Sequence, residues 1–300
     1  MTNEFFSERT EASEVTSKGA LGLPAIFSQA VDVDDHVTGY LWSVDEINEL
    51  AKIIAVIALG QAEHAAEIIK ELDSIVPVRS RAEFYQEARE QLRIRGTTTN
   101  QIEVSRYHRD GFLFECMSWI EARQASTEDT YLKDPHISST TQGLDGLIIQ
   151  MDPEEKVVLH TTICEDKCTQ NPRDTFRDKV MIAFNEHHLN KRGRDLLANA
   201  VSLIKQSGLT GTAAIFAAER VHNKTHRTYR AALTVNSDIC TAEERQKLFK
   251  GYDGLTDISQ AQRIGATFIV TGNLRDWFQE LADHVIQSLD EFEKMEVADV

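Results

Sequence analysis

The chain has 300 residues, 41% of them hydrophobic and 27% charged, with a formal net charge of −16. No apolar run approaches the ~20 residues of a membrane-spanning helix. Four cysteines are too few for a disulfide-built scaffold of this size. The opening is polar and acidic (Glu4, Glu8, Glu11, Glu14), which is neither a signal peptide nor an Arg-rich transit peptide. A cytoplasmic protein with reduced thiols and one large or two modest domains is expected.

Residues 1–30 have no clear periodicity and read as a loose lead-in. Ser43 with Glu46 fits a capping box ahead of Ile47, Leu50, Ile54 and Ile57 at helical spacing. Gly60 breaks that run, which resumes over 61–73. Ser80 with Glu83 opens a second charged helix to about Arg95, ended by Gly96. Residues 111–124 read as an apolar helix, 144–150 and 156–164 as strands joined by the turn Asp152-Pro153-Glu154-Glu155. Residues 178–206 read as helical with a break near Gly193. Three further strands are expected at 212–218, 229–235 and 266–271, and Asn273 caps a long last helix. Together these make an α/β or α+β core.

Charge is unevenly placed: residues 1–105 sum to −9, 106–275 to 0 and 276–300 to −7. The middle of the chain is therefore the least hostile to a polyanion. Tight nucleic-acid binding rests on Lys and Arg at phosphates, so a chain this acidic needs a basic partner or metal ions in a carboxylate site. The expected division is an acidic, mainly helical region at 1–105 and an α/β domain at 106–300.

The chemistry concentrates around the hairpin. If its turn centres between Glu154 and Glu155, paired residues have numbers summing to about 310, which sets Asp145 opposite Glu165 or within a residue or two of it. Opposed Cβ atoms are ~5 Å apart, close enough for two carboxylates to share one divalent cation. Glu165 and Lys167 share a strand face, whereas Cys164 and Asp166 point to the other. Two carboxylates and an ammonium on one patch suit phosphodiester hydrolysis, with metal and lysine countering the phosphate's charge. An acid-x-Lys triplet alone carries little: about two are expected by chance in such a chain, and Glu154-Glu155-Lys156 is another. The second follows an apolar run and faces an aspartate. Solvated strand-end charges are the competing interpretation.

The segment Gly143-Leu-Asp-Gly-Leu147 with Glu165-Asp-Lys167 resembles the PD-(D/E)XK nuclease superfamily, although no proline precedes Asp145. The resemblance implies a restriction-endonuclease-like core, a mixed sheet flanked by helices. It also implies Asp145 and Glu165 as metal ligands for Mg²⁺ (or Mn²⁺) and Lys167 as support for the water or the transition-state charge. Many members place a Glu on the helix before the hairpin, where Glu115 stands on an otherwise apolar helix. An acid there is expensive to bury without a metal or a partner, and the resemblance implies Glu115 as a third catalytic carboxylate and metal ligand, with Glu121 its less favoured substitute. Over roughly 105–300 the order of motifs is similar to the nuclease subunit of Hachiman anti-phage defence systems. That implies a DNA-cleaving effector beside a separately encoded helicase. This chain has no Gly-x-x-x-x-Gly-Lys-Ser/Thr loop of its own.

Arg220 to Arg230 is the most basic stretch, and Lys224, Arg227 and Arg230, with Arg177 beyond the motif, are candidate phosphate contacts; a solvated loop and local ion pairs explain them equally well. Cys164-x3-Cys168 with His187 and His188 lacks a zinc-knuckle spacing, and His222-x3-His226 lacks a metalloprotease's adjacent Glu. A non-catalytic acidic interaction subunit of a nucleic-acid-processing complex is the rival class.

Overall fold

The computed structural model describes residues 25–71, 74–136, 143–239 and 241–298. Most of the expected lead-in, the end of the polar stretch before Gly143, and Cys240 lie outside the described residues.

A seven-stranded mixed sheet organises the chain, with helices on both faces. Its strands are β1 (Phe27–Asp34), β2 (Val37–Ser43), β3 (Thr130–Leu132), β4 (Gly146–Met151), β5 (Val158–Lys167), β6 (Arg227–Asn236) and β7 (Arg263–Val270). Their spatial order is β1-β2-β7-β6-β5-β4-β3. Four consecutive strands, β2, β7, β6 and β5, run parallel, while β1, β4 and β3 pair antiparallel with their neighbours. Parallel strands need both faces covered. The burial of β6 shows this cover, eight of its ten residues being buried.

One face carries α1 (Ile47–Ala58), α2 (Ala62–Glu71), α3 (Ala82–Leu92), α4 (Thr99–Gln124) and α10 (Leu274–Ala298). Phe114 of α4 sits at the middle of this layer, touching Trp42, Phe268 and Phe278. The other face carries a helix that starts at α5 (Pro172–Thr175), passes through one π-turn at Phe176–Val180 and continues as α6 (Met181–His188). Beside it lie α7 (Gly193–Ile204), α8 (Gly211–Ala218) and α9 (Ala242–Leu248). Phe176, Phe184, Tyr229, Phe249 and Tyr252 form an aromatic cluster there.

Several elements correct the sequence expectation. Residues 27–43 form two strands, and β2 pairs with β7 inside the sheet, so the region before 105 is not purely helical. The helix expected from 111 begins at Thr99, where Thr98 and Gln101 close a capping box, and it runs without a break across the expected boundary at 105/106. Residues 212–218 form α8 rather than a strand: an alanine-rich run favours the helix once Gly211 opens it. The boxes expected at Ser43/Glu46 and Ser80/Glu83 do not form; those helices start behind Glu46 and Arg81 without a side-chain cap. The break at Gly60 does occur, with φ of 78° between α1 and α2. Asn273 accepts from the Arg275 backbone N–H at the head of α10, in the capping role expected of it.

Candidate active site

The β4–β5 hairpin builds the site. Its turn is held by Asp152 Oδ1, which accepts the backbone N–H groups of Glu154 and Glu155 at 2.8 Å each. Lys156 takes the left-handed conformation, φ 56°. Near the turn a bulge shifts the register, with Gln150 opposite His160 but Met151 opposite Val158. Beyond it Ile149 pairs with Thr161 and Gly146 with Cys164. That is the register expected from the sequence, and it brings Asp145 to the end of the ladder beside Glu165. Gly146 permits the close approach, since a Cβ there would sit 3.0 Å from the Cβ of Cys164.

Asp145, Glu165 and Lys167 meet. Lys167 Nζ donates to Asp145 Oδ2 and to Glu165 Oε2, the latter at 2.8 Å. Asp145 Oδ2 also accepts the backbone N–H of Asp166 at 3.1 Å. One ammonium thus spans both carboxylates, and the strand backbone fixes the first of them. Glu165 lies deepest, its side chain 6% exposed against about a quarter for the other two. Burial pushes the Glu165 carboxyl up to about 7; Lys167 pulls it down and Asp145 pushes it up. Burial alone would lower Lys167, but the adjacent Glu165 and Asp145 outweigh it and hold the ammonium above the ordinary lysine range.

Asp166 points to the opposite face of the sheet, as alternation requires. It lies near Arg230, whose guanidinium donates to Glu121 Oε2 at 3.1 Å and to the Ser118 hydroxyl, both on α4. Burial pushes Asp166 up to about 7 despite the opposing pull of Arg230. The sequence reading did not include Asp166, Ser118 or Glu121 in this arrangement. Its one legible signal was an arginine inside the apolar strand run of β6.

Glu115 reaches the same cavity from α4, together with His136. Its Oε1 accepts the backbone N–H and Nδ1 of His136, each at 2.8 Å. His136 Nε2 meets Lys133 Nζ at 2.9 Å, and Lys133 also donates to the carbonyl of Leu144. An ammonium only donates, so a Lys133 donating to Nε2 goes with Nδ1–H donating to Glu115. Burial lowers Lys133. Nothing in the local sequence separated Lys133 and His136 from an ordinary polar stretch. Glu115, expected as a metal ligand, is here paired with a histidine; among the described residues, no three acidic, histidine or cysteine side chains converge as a preformed metal cage.

Asp145, Asp166, Lys167, Glu115 and His136 line a cavity of about 570 Å³ together with Tyr107, Lys179 and Arg275, whereas Glu165 lies behind Lys167 and does not line it. The donor set fits a hard cation. Mg²⁺ is commonly held by one or two carboxylates with water and phosphate oxygens completing the shell, and Asp145 and Glu165 offer two carboxylates side by side.

The basic candidates fare differently. Arg227 is fully buried at the far end of β6 and donates to the carbonyls of Val221 and His187 and to Asn190. Arg230 is buried in the network behind Asp166. Both spend their donors inside the fold, which corrects their expected role at a phosphate. Arg177 is half exposed and paired with Asp174 and Asp178, and Lys224 lies 4.0 Å from Asp257; neither borders the cavity. Cys164 and Cys168 are free thiols, and Cys164 lies beside Arg230.

Comparison with protein-family models, with curated proteins and with solved structures finds no match to this chain.

Proposed function

We propose that this protein is a Mg²⁺-dependent nuclease hydrolysing phosphodiester bonds in DNA, with Asp145, Glu165 and Lys167 at its centre. One observation carries the proposal: Lys167 Nζ joins Asp145 and Glu165 at the end of the β4–β5 ladder, beside an open cavity. The fold part of the proposal is a restriction-endonuclease-like core, made of α4, the β4–β5 hairpin and the parallel strand β6. The resemblance to Hachiman nuclease subunits extends it to an anti-phage effector acting beside a separate helicase.

Asp145 and Glu165 would hold Mg²⁺, which supplies Lewis acidity toward a phosphate oxygen and an attacking water. The chain's own residues do the rest. The Asp166 N–H keeps Asp145 aimed at the cavity. Lys167, still charged at neutral pH, neutralises charge developing on the phosphate. Glu165, whose carboxyl pKa is raised by burial, has to be ionised to hold the cation, a state that the adjacent Lys167 favours. Glu115 holds His136 at the cavity wall, where its imidazole borders the departing strand.

The test is cleavage of supercoiled, linear and single-stranded DNA with Mg²⁺ or Mn²⁺, by the wild type and by Glu165→Ala and Lys167→Ala. Activity lost in both variants and in EDTA is the expected result. Metal-dependent cleavage that survives both substitutions would sink the assigned site.

A further inference from the structure

Tyr107, Gly111 and Glu115 follow one another at four-residue spacing on α4, so they stack along one face of the helix. All three line the cavity that holds Asp145 and Lys167. Tyr107 is 51% exposed. The Arg275 guanidinium carbon sits 4.4 Å from its ring centroid, covering one face, and the Arg275 side chain is itself only 12% exposed. The exposure of the tyrosine therefore belongs to its opposite face and its edge.

A buried ion network sets this arrangement from beneath. Arg275 NH1 donates to Asp110 Oδ2 at 2.5 Å, while Arg109 donates to Asp110 Oδ1 through Nε and NH2 at 2.9 and 2.7 Å. Asp110 and Arg109 are buried, and Arg109 also bonds Gln279 of α10. Arg275 has little freedom to leave the ring.

Gly111 is the second observation. Glycine weakens a helix interior relative to alanine, yet a Cβ at 111 would meet no atom within 4 Å. The packing of the chain does not ask for glycine there. The space above its Cα belongs to the cavity, and a bare backbone is what close approach of a ligand needs.

We propose that this stripe of α4 is a track for an unpaired DNA strand. A base stacks on the open face of Tyr107, the sugar–phosphate backbone passes over Gly111, and a following phosphate reaches Asp145 and Lys167. Tyr107 and Glu115 are about 12 Å apart along the helix axis, which leaves room for sugar and phosphate between the stacked base and the reacting bond. An aromatic ring can stack only on a base whose own face is uncovered, so the substrate has a single-stranded segment at the cut rather than intact duplex. Lys179, exposed beside the cavity, supplies a cation for the phosphate backbone. The proposal rests on the nuclease reading and deepens it to a substrate class.

The test measures binding apart from cleavage. Full-length protein with Ca²⁺ in place of Mg²⁺ is titrated into a fluorescein-labelled single-stranded oligonucleotide carrying 2-aminopurine. Tyr107→Ala should weaken binding about 10- to 100-fold and abolish the stacking quench, the range expected for one lost base–aromatic stack, while Tyr107→Phe stays close to wild type. Gly111→Ala should raise the Tm, and Gly111→Leu should leave a folded protein that binds the oligonucleotide at least about tenfold more weakly. Wild-type binding that ignores Tyr107→Ala would overturn the track, as would a duplex of the same sequence competing equally well, or no binding at all. Tyr107-dependent binding without metal-dependent cleavage would keep the track and remove the nuclease reading. Cleavage that needs Glu165 alongside unaltered binding by Tyr107→Ala would do the reverse.

Discussion

Replacing Lys167 by methionine keeps the unbranched stem and removes the ammonium that joins Asp145 to Glu165. In the parent, burial pushes Glu165 up to about 7 even though Lys167 pulls it down. Without that pull the carboxyl titrates still higher. A carboxyl whose folded pKa exceeds its unfolded value of 4.5 contributes stability that is complete below 4.5 and lost as pH rises through about 7. In Lys167→Met the same loss extends to higher pH. At about pH 8 the substitution should cost about 2–3 kcal/mol, the worth of charge-assisted hydrogen bonds in a partly buried place. For a chain of this size that is ~3–5 °C in Tm. At about pH 5, where Glu165 is protonated in both proteins, the gap should shrink to about 1 kcal/mol or less. Millimolar Mg²⁺ should recover part of the loss at the higher pH by replacing the missing cation. Thermal unfolding of parent and variant at both pH values, in EDTA and in Mg²⁺, reads this directly. A gap that is equal at both pH values, or wider at the lower one, would refute the reasoning.

Arg230→Met should be far more damaging than its former candidacy as a phosphate contact implies. It leaves Glu121 and Asp166 without their buried cation, and the expected loss in urea unfolding is about 3–5 kcal/mol. Arg177→Gln and Lys224→Gln, by contrast, should leave the Tm unchanged, since their pairs are exposed. Gly265→Ala would place a Cβ 2.6 Å from the ring of Phe249, itself 1% exposed, and should cost about 1–3 kcal/mol of overpacking; a stable variant would show that the ring can move. Because Glu165 must give up its proton to bind a cation, Mg²⁺ affinity should rise up to about tenfold per pH unit below 7, with proton release in calorimetry. A flat affinity across that range would remove Glu165 from the metal site.

The hairpin and its register were legible because a Pro-containing acidic turn separates two apolar runs, and the alternation fixes which residues face each other. The bulge at Leu159 was not legible, yet it falls on the turn side of the site and leaves Asp145 in place. The parallel pairing of β2 with β7 joins Thr38 to Ile264, and no local pattern encodes so distant a neighbour. β1 was hidden for another reason: it is an edge strand with half its residues exposed and one buried, so its alternation is weak. The basic run before Tyr229 suggests phosphate contacts or a solvated loop because charge ordinarily marks surface. Arg227 is instead satisfied by carbonyls of α6 and of the turn after α8, partners that only the tertiary structure supplies. The Glu115–His136–Lys133 chain escaped notice for the same reason, as it closes across a 20-residue gap between a helix and a loop.

The central place of β2 limits how this protein can be divided. A fragment starting at 106 would keep Asp145, Glu165 and Lys167 but lose the strand that pairs with β7 and the helix α1 that packs on α10. β7 would then present a row of unpaired backbone groups, a template for intermolecular pairing. The order of folding is constrained in the same way. The β4–β5 hairpin closes between near neighbours, whereas the sheet is completed only when the two ends of the chain meet, a step of high contact order. The candidate chemistry is thus local in sequence, while the platform that supports it joins β2 to β7 and α1 to α10, elements far apart along the chain.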